Sequence, residues 1–182
     1  MTEQASLEMD EVLEKITFYC FDVAKQKLEA GEECVPFTVV VEGDQMFEET
    51  YPADDVVTCR ANAQANVKSA STFTTHYAFC YDGFLMTDQG QLDAIIVECA
   101  QRDMDEAYVI GLLYEEEDGE STFKETPAYI DSTETFYDRE AVRVAEQEEK
   151  DRAQEGAEFD DVQEMLKRNL GPKEDDQQDD GQ

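Results

Sequence analysis

The sequence predicts an α+β fold: an antiparallel, meander-like sheet with two helices in its N-terminal half, plus a C-terminal helical acidic appendage. Three observations support this prediction. Residues 6–31 have apolar positions at helical spacing. The middle of the chain alternates apolar and polar residues between turn sequences. Residues 138–182 are dominated by charge and contain one isolated apolar pattern.

The first helix is predicted from an apolar stripe that ends shortly before Gly31, a residue that favours a helix C-terminus. The apolar positions are Met9, Val12, Leu13, Ile16, Cys20, Val23 and Ala24. The next segment is rich in β-branched residues, which indicates a strand over residues 37–41. A turn at Gly43-Asp44 then leads into a short second strand.

The second helix is predicted to begin after Asp54 or Asp55, because an aspartate at this position accepts hydrogen bonds from the free amides of the first turn. Its buried face is predicted to be small, with Val57, Ala61 and Ala65. Such a face permits a close approach to the sheet.

The remaining strands form a predicted meander. Turns are expected at Asp82-Gly83, at residues 102–105 and at Asp118-Gly119, because Asp-Gly between alternating runs is typical of a hairpin. The runs 93–100 and 107–114 are apolar on both faces, so they are expected to be central strands that are covered on both sides or folded over. Pro127 is expected to break the last strand.

The tail begins with a helix signal, since Asp138 can cap the segment that follows it. Gly156 is expected to interrupt this helix, and a second short helix is predicted from residue 157 to Gly171-Pro172. The organisation is therefore an acidic α+β domain over 1–137, a helical appendage over 138–172 and a disordered acidic tail over 173–182.

The second tail helix has one apolar face, which we predict to be a partner-binding site. A helix this short is marginal in water unless this face is buried. It can pack on its own domain, or it can enter a groove on a partner. The side chains concerned are Phe159, Val162, Met165, Leu166 and Leu170.

The net charge of −32 limits the choice of partner. Residues 138–182 hold 16 acidic and 7 basic side chains, so residues 1–137 hold 30 and 7, a net of −23. This charge repels nucleic acid and anionic lipid and attracts basic protein surfaces. We therefore expect a basic protein partner, with nucleic-acid mimicry as one form of it, and no direct nucleic-acid binding. Solubility or adaptation to salt is the alternative explanation of the acidity.

No catalytic residue, cofactor or metal site is predicted. His76 is the only histidine, and we expect it to be packed or at the surface. The carboxylates Asp82, Asp88, Asp93 and Glu98 do not fit a nuclease site. Asp93 and Glu98 are five residues apart, so on a strand they point to opposite faces. The lysine that such sites have two residues after the glutamate is replaced by Ala100. The five cysteines form no C-x-x-C pair and are expected to be buried or partly buried thiols in the cytoplasm. No run is long and apolar enough for a membrane span, and the N-terminus does not resemble a signal peptide.

The sequence thus predicts a non-catalytic acidic module that binds a basic partner surface. Two other classes remain open. One is an enzyme or small-ligand-binding domain with a carboxylate-lined pocket. The other is a structural subunit of a homo-oligomer.

Overall fold

The computed structural model describes residues 7–169 of the chain. This part contains three helices and a seven-stranded antiparallel sheet, which confirms the predicted α+β class. The elements are α1 (Glu11–Glu29), β1 (Phe37–Glu42), β2 (Gln45–Thr50), α2 (Val56–Ser69), β3 (His76–Thr87), β4 (Gly90–Gln101), β5 (Glu106–Glu117), β6 (Glu120–Phe123), β7 (Ala128–Glu134) and α3 (Arg139–Asn169).

The sheet has the strand order β2-β1-β3-β4-β5-β6, and β7 also pairs with β5. Strands β3 to β6 form a meander, whereas β1 reaches β3 across the intervening α2. Strand β5 is long enough to have two neighbours on one edge: β6 pairs with Tyr114–Glu117 and β7 with Glu106–Gly111. The short strands β6 and β7 are separated by Pro127, as the sequence predicts.

Each face of the central strands is covered by a different helix. Helix α1 packs over one apolar cluster, which includes Phe37, Cys80 and Ile95. Helix α2 packs over the other, which includes Tyr77 and Phe79. Successive residues of a strand face opposite sides, so the buried run 94–100 of β4 serves both clusters. The prediction that β4 is a central strand is confirmed.

The buried face of α2 differs from the predicted one. Cys59, Ala63 and Val67 are buried, whereas Val57, Ala61 and Ala65 are exposed. Alanine occurs at 61, 63 and 65, and the local pattern therefore allows more than one small face. Packing against the sheet therefore decides which face is buried. The start of the helix is as predicted: it follows Asp55, whose carboxylate accepts from the Thr58 amide at 2.8 Å.

The predicted turn at Asp82-Gly83 is wrong. Strand β3 continues through both residues, and the turn lies at residues 88–89 before Gly90, which has φ +102°. Gly83 instead permits close packing: a Cβ there would lie 3.2 Å from Cδ1 of Ile96 on the paired strand. The other Asp-Gly pair, Asp118-Gly119, does form a turn, with positive φ at both residues.

Helix α3 begins as predicted. The Asp138 side chain accepts from the amide of Ala141 at 3.0 Å, and Val142 in this first turn is fully buried. The predicted break at Gly156 is wrong, because α3 is continuous through it. A glycine inside a helix costs about 1 kcal/mol relative to alanine, which weakens a helix without ending it.

The contacts divide the chain into two compact units, Met1–Val142 and Arg143–Gln182. The predicted division after residue 137 stays a prediction. The predicted helix end at Gly171-Pro172 and the predicted disorder over 173–182 lie outside the described residues. None of the helices in the described range is long and apolar enough to cross a membrane.

Candidate functional site

Four of the five predicted partner-binding side chains lie on α3, and they form what we call the tail stripe. Their exposed fractions are 63% for Phe159, 52% for Val162, 60% for Met165 and 53% for Leu166. Leu170 lies outside the described residues. The spacing of three and four residues places Phe159, Val162 and Leu166 along one side of the helix. Met165 lies beside them.

The continuity of α3 also decides where the charges around the tail stripe lie. A break at Gly156 would place Glu158, Asp160 and Asp161 at the positive N-terminal end of a second helix. Because α3 is continuous, they lie in its interior, far from the helix N-terminus. They therefore gain no favourable interaction with the helix dipole, since the effect is limited to the terminal turns. Lys167 and Arg168 lie in the last turn.

The unit Met1–Val142 contains a groove between α1 and strand β7, which we call the α1–β7 groove. It has a volume of about 510 Å³. One wall is the side of α1 that carries Phe18, and the other is the segment that precedes β7 together with Tyr129. The lining is Leu7, Met9, Glu14, Thr17, Phe18, Ile110, Glu125, Thr126, Pro127 and Tyr129. Sequence reasoning missed this groove, because its lining residues come from three distant segments.

His76 is buried in a polar cluster at the start of α1. Its Nε2 lies 2.7 Å from Oδ2 of Asp10, and the side-chain amide of Gln101 donates to the same oxygen at 2.6 Å. The other oxygen of Asp10 caps α1 by accepting from the Leu13 amide at 2.7 Å. Burial alone would raise the pKa of Asp10, but these hydrogen bonds and the nearby His76 outweigh it and lower that pKa.

This cluster has the carboxylate that would orient a histidine base. However, His76 is not among the residues that line the α1–β7 groove. Each oxygen of Asp10 is engaged by groups of the fold. The cluster therefore has a structural role: its hydrogen bonds connect the N-terminus of α1 to β3 through His76 and to β4 through Gln101. The signal that could have identified Asp10 is its position immediately before the first apolar residues of the helix.

Glu98 forms a buried ion pair on the α2 side of the sheet. Only 2% of its side chain is exposed, and its Oε2 accepts from Arg60 of α2, which is 34% exposed. The Arg60 guanidinium lies over the ring of Phe136, 5.1 Å from its centroid. Burial and then the Glu98 charge raise the pKa of Tyr81. The second oxygen of Glu98 has no hydrogen-bond partner among the described residues.

The four carboxylates considered for nuclease chemistry are dispersed. Asp82 and Asp93 face the α1 side of the sheet, Glu98 faces the α2 side, and Asp88 lies in the turn between β3 and β4. Over residues 7–169, no group of three or more His, Cys, Asp or Glu side chains is arranged to hold a metal ion.

Asp82 is relevant to the alternative of a carboxylate-lined pocket, because its carboxyl group has a raised pKa. Burial raises its pKa, the hydroxyl of Tyr114 donates to it at 2.7 Å and opposes that rise, and the charges of Asp93 and Glu116 add to it. Asp82 does not line the α1–β7 groove. The carboxyl group with the raised pKa is therefore not part of the groove.

All five cysteines are free and buried, as predicted. Burial raises the pKa of Cys20 and Cys80 and raises that of Cys99 to about 12. A hydrogen bond with Cys80 lowers the pKa of Cys34, although burial opposes it. The raised pKa keeps the thiols of Cys20, Cys80 and Cys99 protonated, and protonated thiols are weak nucleophiles and metal ligands.

No protein-family model matches this chain, and no curated protein and no solved structure matches it at a significant level. The candidate sites therefore rest on the geometry described above.

Proposed function

We propose that this protein is a non-catalytic acidic interaction module that binds a basic surface of a partner protein. The observation that carries this proposal is the tail stripe. Four large apolar side chains are each more than half exposed on a helix whose other residues are mostly charged. An amphipathic helix that presents such a row can place it in a groove on a partner.

Charge supplies the second part of the mechanism. With a net charge of −32, the protein attracts cationic surfaces over a distance set by salt, about 10 Å at 0.1 M and about 3 Å at 1 M. Such attraction increases the rate of association with basic partners and disfavours the binding of acidic ones. The tail stripe then contributes the apolar contacts that slow dissociation. We also propose a cytoplasmic location, because the five free thiols fit a reducing compartment.

The test is affinity capture from an extract of the producing cells at low and at high salt. We compare the full chain with a Phe159→Ala/Leu166→Ala variant. Val144→Ala is the matched control, since Val144 is 50% exposed on the same helix but outside the tail stripe. We expect the full chain and the control to capture a protein with a basic surface at low salt, and the double variant to lose most of it.

Capture that is indifferent to salt would contradict the proposal. Displacement of the captured partner by duplex DNA would assign it to the subtype in which the protein imitates a nucleic-acid backbone. A homo-oligomer that becomes more stable as salt rises would favour the structural subunit instead, because salt screens the repulsion between acidic copies.

A further inference from the structure

The α1–β7 groove exists because α1 does not cover the whole sheet face. Helix α1 packs over β3 and β4, and the same face continues beyond it to Ile110 of β5 and Tyr129 of β7. Tyr129 packs edge-on against Tyr108, with ring centroids 6.0 Å apart, which supports its position in the groove wall. Phe18 and Tyr129 are 49% and 43% exposed, so each offers a large apolar surface to an occupant.

The chemistry of the lining is apolar with an acidic rim. Six of the ten lining side chains are apolar or aromatic, and the two charged ones, Glu14 and Glu125, are both acidic. The hydroxyl of Thr17 is already used, because it donates to the carbonyl of Leu13 at 2.7 Å. The surface of α1 next to the groove adds Glu11, Lys15 and Asp22. Lys15 pairs with Glu11 at 3.1 Å, so Asp22 is the unbalanced charge of these three.

These features discriminate between classes of occupant. A small-molecule site of this size normally has a few converging polar groups that fix the ligand's orientation. Here the buried polar atoms that lack a hydrogen-bond partner in the described chain belong to Glu98 and Arg139, and neither lines the groove. A second copy of the chain would bring a further charge of −32 to an acidic rim. Charge complementarity instead favours a cationic segment with an apolar anchor.

We propose that the α1–β7 groove binds a short amphipathic segment of a basic protein, with one large apolar side chain between Phe18 and Tyr129 and with Lys or Arg beside Glu14 and Glu125. This inference rests on the proposed function, since it takes the partner to be basic, and it adds a second contact site on the unit Met1–Val142. The tail stripe and the groove consist of different residues, so each can be tested by its own substitutions.

The probe is a synthetic amphipathic peptide of Leu and Lys with a single Trp, about 16 residues long, which spans about 24 Å as a helix. The protein contains no tryptophan, so the Trp emission reports only on the peptide. A twin peptide with Glu in place of Lys is the charge control. Each peptide is titrated with the full chain at low salt.

We compare three exposed phenylalanines by substitution with alanine. Phe18→Ala removes the groove wall and Phe159→Ala removes part of the tail stripe. Phe73→Ala is the matched control, because Phe73 is 54% exposed and follows α2, which packs on the other face of the sheet. We expect Phe18→Ala to weaken binding of the Lys peptide about tenfold, as loss of an interface anchor does, and Phe73→Ala to leave it unchanged.

A second variant tests the acidic rim. Glu14→Gln together with Glu125→Gln should weaken the Lys peptide about two- to fivefold at low salt, with no effect at high salt. The thermal midpoint of every variant is measured, and a variant that melts like the wild type reports on binding alone. Both glutamates and Phe18 are exposed, so we expect no loss of folding.

Absence of binding by the Lys peptide, equal binding of the Glu peptide, or unchanged binding by Phe18→Ala would each overturn the groove proposal. Binding that is lost only in Phe159→Ala would do so as well, while supporting the proposed function of the tail stripe. Conversely, a groove that binds the peptide while cellular capture is indifferent to Phe159 and Leu166 would support this inference and contradict that role of the stripe.

Discussion

Helices α1 and α3 are both amphipathic, yet α1 buries a row of apolar side chains along one face, whereas those of the tail stripe are exposed. In α1 the buried positions recur along the helix and include Leu13, Cys20 and Phe21. In α3 a single residue, Val142 in the first turn, is buried in the described part of the helix. The residues between Val142 and Phe159 are mostly charged.

An apolar stripe on a helix therefore indicates burial only when an apolar surface of similar length lies opposite it. The stripe of α1 faces an apolar sheet over most of its 19 residues. The tail stripe occupies about two turns near the end of a 31-residue helix. Burial of α1 stabilises the fold, whereas the exposed side chains of α3 are available for binding.

Substitution of one leucine in each helix should separate α1 from α3 most clearly. Leu13 is fully buried, so Leu13→Ala should lower the free energy of unfolding by about 3 kcal/mol, through lost burial and a residual cavity. Leu166→Ala should change it by less than about 0.5 kcal/mol, as is usual for exposed sites. Urea denaturation followed by circular dichroism measures both. Equal losses in the two variants would contradict the contrast between the helices.

The same contrast applies to ion pairs. Arg60→Met leaves the buried carboxylate of Glu98 without its cation, and we expect a loss of about 2 kcal/mol, less than for a fully buried pair because Arg60 is partly exposed. The matched control is Arg168→Met, which removes the exposed pair with Glu164 at 3.9 Å. Exposed pairs contribute little, so the control should unfold like the wild type in urea. A stable Arg60→Met variant would show that Glu98 does not depend on its pair.

The cap of α1 should have a smaller effect that depends on pH. Asp10→Ala removes the N-cap and the contacts with His76 and Gln101, and we expect a loss of about 1 kcal/mol at neutral pH. The pKa of Asp10 is lowered from its ordinary value of 3.8. Its ionised form therefore stabilises the fold above pH 3.8, and this stabilisation is lost as the pH falls through the lowered pKa.

The stability curves of the wild type and of Asp10→Ala should consequently converge in acid. Thermal unfolding measured from pH 7 down to about pH 2 tests this, because the loss occurs below pH 3.8. A difference that stays constant with pH would mean that Asp10 acts only as a neutral cap. Asp55→Ala is a useful comparison, since Asp55 caps α2 in the same way and its pKa is also lowered, first by the hydrogen bond from the Thr58 amide.

Local signals in the sequence predict most elements of this fold. Asp138 and Asp55 are caps in the structure as in the sequence, and the hairpin at Asp118-Gly119 has the predicted turn. The pair Asp82-Gly83 has the same local sequence but lies within a strand. Both residues pair with β4, Asp82 with Ile95 and Gly83 with Ala94, and no local pattern contains that strand pairing.

The candidate sites divide in the same way. The tail stripe lies within one helix, so its spacing is visible in the sequence. The α1–β7 groove is assembled from the segment at residues 7–18, from Ile110 and from residues 125–129, and only the folded sheet brings these together. The contact between Asp10 and His76 likewise joins residues 66 positions apart. Sequence reasoning therefore finds surfaces on single elements and misses those between elements.

Deletion of residues 157–182 should leave the stability of the fold almost unchanged. If the tail stripe serves a partner, the thermal midpoint should stay within about 2 °C of the wild type, because 1 kcal/mol shifts a domain of this size by about 2–4 °C. The matched control deletes residues 139–182 and so removes Val142, whose side chain is fully buried, together with the helix turn that Asp138 caps. This longer deletion should lower the midpoint by several degrees. A comparable fall in the shorter deletion would mean that the stripe contributes to the fold, and the contrast between α1 and α3 would then be one of degree.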